Sequence, residues 1–141
     1  APPGPRVPTA QVRPPTIRLA SAQAPAERRA ALEARGITIL TCGDGPQVDL
    51  TLAMRQLGER EIGSILLEGG GKLNGAMLEQ RLLDKLVLMF APKLIGGGHA
   101  APVNINFEGF AKMDEAITLD RVKVEQLGPD ICLTGYPIYP N

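Results

Sequence analysis

Read for the spacing of its apolar positions, the chain alternates short strands and helices. Residues 16–20 switch between polar and apolar, as a strand does. Pro25 then stands where the first turn of a helix tolerates proline. Ala30, Ala31, Leu32 and Ala34 continue that helix, and Gly36 is placed to end it. Residues 37–40 predict a second strand, followed by a Gly-Asp-Gly-Pro loop over 43–46. Asp49 is positioned to cap a helix with Leu50, Ala53, Met54 and Leu57 on its buried face and Gly58 at its end. The continuous run Ile65-Leu66-Leu67 suits a strand buried on both faces. Three glycines break it, and Leu73, Met77 and Leu78 then repeat at helical spacing to about Gln80. Residues 86–90 form a strongly apolar strand closed by Ala91-Pro92. Residues 117–126 alternate, Gly128-Pro129-Asp130 turns the chain, and 131–134 return as a hairpin. Pro137 and Pro140 are expected to stop further pairing. Met54, Met77 and Met89 are expected to pack in the core.

Strands alternating with helices imply parallel pairing through right-handed crossovers. The closing hairpin adds antiparallel strands. The expected class is α/β, a mixed, mostly parallel sheet flanked by helices with a C-terminal antiparallel hairpin. Residues 1–15 are proline-rich and lack periodicity, so they read as an extended connector, with residues 16–141 as one domain portion. A domain seldom begins on such a stretch, which suggests an upstream portion.

Composition narrows the function classes. A net charge of zero gives no reason to expect nucleic acid or an anionic membrane as partner. No apolar run is long enough to cross a bilayer, and the start lacks the apolar core of a signal peptide. Cys42 and Cys132 form no C-x-x-C pair, and the chain has one histidine. No metal site is expected, and the cysteines read as buried thiols in a cytoplasmic protein.

The candidate chemistry sits at residues 65–78. Gly69, Gly70 and Gly71 let the backbone turn sharply and let a ligand approach. The helix that follows begins with unpaired N–H groups and a partial positive charge, which suits a phosphate. Glu68 stands at the expected strand's carboxyl end. A P-loop is excluded, because Lys72 is followed by Leu73 and Leu67 occupies the position of its earlier glycine. The dinucleotide G-x-G-x-x-G is also broken: Asn74 replaces its third glycine and Gly75 comes one place late. A glycine turn with no ligand is the alternative, and composition does not separate the two.

Taken together, Leu67-Glu68-Gly69-Gly70-Gly71-Lys72-Leu73, Leu83-Asp84-Lys85-Leu86 and Ala91-Pro92-Lys93-Leu94-Ile95-Gly96-Gly97 closely resemble the reductase domain of the bifunctional riboflavin-biosynthesis deaminase–reductase. Gln126-Leu127-Gly128-Pro129-Asp130-Ile131-Cys132-Leu133-Thr134-Gly135-Tyr136-Pro137 resembles its closing hairpin, and Arg28-Arg29-Ala30-Ala31-Leu32-Glu33-Ala34-Arg35-Gly36 a helix of the same domain. The resemblance implies a dihydrofolate-reductase-like fold and NADPH-dependent reduction of a ribosylamino-pyrimidinone 5′-phosphate to its ribitylamino form. It implies that Glu68 faces the substrate and that Gly70, Gly71, Lys72, Leu73, Asn74, Gly75 and Ala76 hold the cofactor. Ser21, after the first strand, is a further cofactor candidate. No catalytic residue is assigned. The family's substrate-side elements and its zinc-binding deaminase domain have no counterpart here, and Lys85 replaces the family's Glu.

Other readings remain open. The chain could be a related pteridine-type or dihydrofolate-type reductase, or a noncatalytic cofactor-binding fragment that needs the absent part. Glu68 could pair with local amides, Lys72 could be solvated, and His99 is expected to face solvent. Residues 96–98 are expected to form a mobile loop. The implied partners are a small-molecule substrate and a second copy of the chain, paired through the hairpin edge as a homodimer.

Overall fold

The computed structural model describes residues 15–94, 96 and 103–140. The expected connector at 1–14, and the calls on Gly97, Gly98 and His99, lie outside the described residues. The chain divides into two compact units, one ending at Ile62 and the other beginning at Gly63.

The first unit is a βαβα arrangement: β1 (Ile17–Ala20), α1 (Ala26–Glu33), β2 (Thr38–Thr41) and α2 (Leu50–Gly58). The two strands pair in parallel, Ile17 opposite Thr38 and Ala20 opposite Thr41. Parallel neighbours need a crossover helix, and α1 supplies it. Pro25 sits at the N-cap of α1, one place before the expected position, and Gly36 takes a φ of 77° just beyond the helix end. Leu40, Cys42, Ala53 and Leu57 make the core, with Ile17, Leu19, Val48, Met54 and Ile62 packed around it. Cys42 is fully buried, and burial together with the nearby Asp49 carboxylate pushes its thiol pKa up, while Arg60 opposes the shift.

The second unit holds α3 (Gly71–Glu79), β3 (Leu86–Phe90), a 3-10 turn (Met113–Glu115), β4 (Thr118–Leu127) and β5 (Asp130–Ile138). Its sheet has the order β3-β5-β4 and is antiparallel throughout. The expected mostly parallel single sheet is thus two sheets, of which only the smaller is parallel. The α/β class and the closing hairpin stand. β4 and β5 are joined by the two-residue loop Gly128-Pro129, with Gly128 at a φ of 62°, where a β-carbon would be strained.

Three expectations fail for identifiable reasons. Residues 65–67 form no strand: they have no ladder partner among the described residues, and Leu66 is 82% exposed. An apolar run signals a strand only where another strand takes its hydrogen bonds. Pro137 does not end β5 but lies within it, opposite Leu119. β3 pairs only as far as Gly135, so at Pro137 the strand has one neighbour and its missing N–H breaks no second ladder. Met89 is 51% exposed, not in the core, because it lies on the face of β3 opposite Leu86 and Leu88.

Past the sheet, the chain end is tied back to the connection after α3. Tyr139 Oη donates to Leu83 O at 2.8 Å and accepts from Leu83 N at 3.3 Å, and Arg81 Nη2 donates to Pro140 O at 2.6 Å. In β4 the register shifts between Asp120 and Lys123. There Arg121 takes a φ of 47° and sets its guanidinium 3.8 Å from the centre of the Tyr136 ring.

Candidate functional site: the glycine turn at the start of α3

The turn that leads into α3 has two unlike flanks. Gly70 is the N-cap, at φ −76° and ψ 167°, and supplies no side chain to cap the helix. The amides of Leu73 and Asn74 both donate to Gly70 O, at 3.0 and 3.1 Å. The amides of Gly71 and Lys72 have no acceptor among the described residues. No acidic side chain occupies the first turn. Two N–H groups and the positive end of the helix dipole are therefore left without an internal anion. A β-carbon placed on Gly70 would meet nothing within 4 Å among the described residues, so this flank is open to them.

The other flank is filled by protein. A β-carbon on Gly71 would lie 2.2 Å from Val103 O, and one on Gly75 would lie 2.0 Å from Asn106 O. These glycines stand one helical turn apart, and their bare stripe receives the backbone of residues 103–106. Asn106 N donates to Gly71 O at 2.9 Å. Asn74 completes the clip: its Nδ2 donates to Gly69 O at 3.1 Å and to Asn104 O at 2.9 Å. Its Oδ1 is buried with no partner among the described residues. Nothing in the sequence reading paired 103–106 with this turn. The available signal was the Gly71/Gly75 spacing, which marks a close backbone approach without saying whose backbone comes close.

The remaining candidates are distributed as follows. Glu68 is exposed at the end of the extended stretch before the turn, and its carboxylate has no hydrogen-bond or ion-pair partner among the described residues. Lys72 and Leu73 are exposed, Ala76 is half-buried and Gly75 is buried. Glu68, Gly70 and the Gly71 and Lys72 amides thus lie along one short stretch of chain. Ser21 belongs to the first unit. It is buried at the end of β1 and lines that unit's own cavity.

Comparison with known proteins gives this site its context. Residues 2–133 match the family described as the RibD C-terminal domain. The chain belongs to that family. Among the chain's relatives is the riboflavin biosynthesis protein RibD of Actinobacillus pleuropneumoniae. It is 38% identical over 106 residues, which are 74% of this chain and 28% of the relative. The 2,5-diamino-6-ribosylamino-4(3H)-pyrimidinone 5′-phosphate reductase of Methanothermobacter thermautotrophicus is 34% identical over 117 residues, 83% of this chain and 53% of that protein. Of solved structures, Acinetobacter baumannii RibD superposes with a TM-score of 0.64 at 28% identity, covering 78% of this chain and 29% of that one. The fold is accordingly the dihydrofolate-reductase-like α/β fold that the sequence resemblance implied. The chain spans roughly a quarter to a half of the length of these relatives.

A nucleotide cofactor fits what the chain presents at this turn. The unclaimed amides, the missing acidic cap and the open space beside Gly70 all suit a diphosphate. The Gly71/Gly75 face does not, because the 103–106 backbone already stands there. No helix among the described residues is long and apolar enough to cross a membrane.

Proposed function

We propose that this chain is the cofactor-side portion of an NADPH-dependent reductase in riboflavin biosynthesis. The substrate is a ribosylamino-pyrimidinone 5′-phosphate and the product its ribitylamino form. NADPH, when bound, would supply a hydride to the ribosyl carbon attached to the amino nitrogen, the ring C–O bond at that carbon breaking and its oxygen taking a proton from solvent. The chain's own residues bind and orient. The Gly71 and Lys72 amides would donate to the diphosphate oxygens at the start of α3, and the Gly70 flank would give the group room. Leu73, Asn74, Gly75 and Ala76 form the wall behind those amides, with Asn74 holding the 103–106 segment in place. Glu68, exposed one residue before the glycines, faces the substrate.

The observation that carries this reading is the pair of amides left without acceptors beside an open glycine, in a chain of this family. Titration with NADPH, read by nicotinamide fluorescence, tests it. Saturable binding that is lost in Gly70→Asp is expected, because the new carboxylate would occupy the amides and repel the diphosphate. No binding at millimolar cofactor would leave a noncatalytic member of the family.

The proposed assembly is a homodimer. Among the described residues β4 pairs only with β5, and its Val122 and Val124 are exposed. Such an edge is a template for a second copy. A monomeric mass by light scattering would remove this part of the reading.

A further inference from the structure

Three consecutive carbonyls run through the glycine turn, and each has a donor. Gly69 O accepts from Asn74 Nδ2 at 3.1 Å, Gly70 O from the Leu73 and Asn74 amides, and Gly71 O from Asn106 N at 2.9 Å. None of the described peptides is cis, and a trans peptide sets its C=O and N–H on opposite sides of one plane. Holding a carbonyl therefore aims the N–H of the next residue. The helix itself, through Gly70 O, aims the Gly71 amide. The Lys72 amide is aimed from outside the helix, because the donor on Gly71 O belongs to the 103–106 segment.

Asn74 joins the two. Its Nδ2 also donates to Asn104 O at 2.9 Å, so one carboxamide spans the turn and the segment. The carboxamide has one workable orientation, since turned over it would set Oδ1 against two carbonyl oxygens. With both protons spent on carbonyls, Oδ1 is buried with no partner among the described residues. A buried acceptor left unpaired is costly, and a leucine of similar size would avoid that cost. What the asparagine contributes favourably is thus its two Nδ2 bonds. The bare stripe of Gly71 and Gly75 lets the segment come close enough to make them.

We propose that residues 103–106 are a strap that positions the cofactor turn, and that Asn74 is the positioning residue coupling strap to turn. The strap acts through the turn: docked on α3, it keeps the Lys72 amide aimed outward beside that of Gly71. Strap docking and diphosphate binding favour the same amide directions, so each strengthens the other. The identity of the ligand rests on the reductase reading, and the strap's hold on the turn does not.

Two variants of the full chain release the strap from different sides, each checked for an unchanged fold by circular dichroism. Asn74→Leu removes both carboxamide bonds, and Asn106→Pro removes the N–H that holds Gly71 O. Amide hydrogen exchange without cofactor is read at residues 73 and 74, whose N–H groups bond Gly70 O, and corrected for intrinsic rates. Both amides are expected to exchange about three- to tenfold faster in each variant, the worth of one hydrogen bond, while Ala53 in α2 is unmoved. NADPH affinity, read by nicotinamide fluorescence where all proteins are fully folded, is expected to fall by the same factor. In the parent, saturating NADPH is expected to slow exchange at the Asn106 amide. A merely structural role would lower the unfolding midpoint and leave the affinity of the folded protein and the Asn106 response unmoved.

Turn amides that exchange as in the parent overturn the inference, and so does NADPH affinity unchanged in both variants. Should Asn106→Pro fail to fold, Asn74→Leu and the Asn106 response in the parent decide. If the parent binds no NADPH, the reductase reading falls, and the cofactor-free exchange still decides whether the strap holds the turn.

Discussion

The starts of α2 and α3 pose the same physical problem and solve it oppositely. Each exposes N–H groups that the helix cannot satisfy itself. At α2, Asp49 accepts from Leu52 N at 2.8 Å, so the chain supplies its own anion. At α3, Gly70 holds the same extended N-cap geometry but brings no side chain, and two amides stay unclaimed. At α2 the amides of Leu50 and Thr51 also have no acceptor among the described residues, so the difference lies in the carboxylate that caps α2 and has no counterpart at α3. The α3 start, with neither a capping side chain nor an acidic residue in its first turn, is the one that suits the diphosphate of the proposed reading.

The largest test of this contrast separates the glycines that admit protein from the one that leaves room. Gly75→Ala and Gly71→Ala each drive a β-carbon into the backbone of residues 103–106. Backbone cannot rotate away, so the segment must shift. The expected cost is about 1–3 kcal/mol, the range for overpacking, reduced at Gly75 by the better helix propensity of alanine. Thermal unfolding reads the loss, and faster amide exchange at Asn106, whose N–H bonds Gly71 O, localises it. Gly70→Ala meets nothing and is expected to leave the midpoint within experimental error. Equal destabilisation at Gly70 and Gly75 would break the distinction between the two flanks.

That distinction shows how far the sequence could be read. The Asp49 cap, the β3 strand and the two-residue hairpin loop follow from local chemistry: a short acidic side chain before a periodic run, an unbroken apolar pentamer, a glycine followed by proline. The residues of the turn were also legible as a place where a ligand could approach the backbone. What local pattern cannot supply is the identity of the neighbour. Gly71 and Gly75 look the same whether a diphosphate or Val103 and Asn106 stands beside them. Residues 65–67 failed in the same way, since an apolar run does not say whether a partner strand is present.

Exchanging the two caps sharpens the comparison further. Asp49→Ala removes the acceptor for Leu52 N and is expected to cost about 1 kcal/mol. Gly70→Asp does the reverse. The φ and ψ of Gly70 suit an N-cap aspartate, so its carboxylate can accept from the second or third amide of α3. A gain of about 0.5–1 kcal/mol in stability is expected together with loss of dinucleotide binding. Urea unfolding and NADPH titration of the same preparation check both signs. A Gly70→Asp protein that is both more stable and still binds the cofactor would mean that the amides are not where the diphosphate sits.

The smallest expected effect follows from the second role of Asp49. Its carboxylate raises the Cys42 thiol pKa above the ordinary 9.0, after burial itself, while Arg60 opposes it. A pKa raised by folding means that the folded state favours the protonated thiol. The associated stability is therefore fully present below pH 9.0 and is lost as pH climbs through the folded value. Tyr139 adds a loss of the same sign starting from its ordinary 10.0, because burial raises it most, and the Asp84 charge adds to the rise. In Asp49→Ala one of the two causes at Cys42 disappears and burial remains, so the thiol titrates earlier than in the parent but still late. Thiolate absorbance against pH, in a Cys132→Ala background that leaves one thiol, measures this directly. An unchanged Cys42 titration in Asp49→Ala would show that the capping carboxylate spends its charge entirely on the amides of α2, and would make the closure of that helix start more complete than the geometry implies.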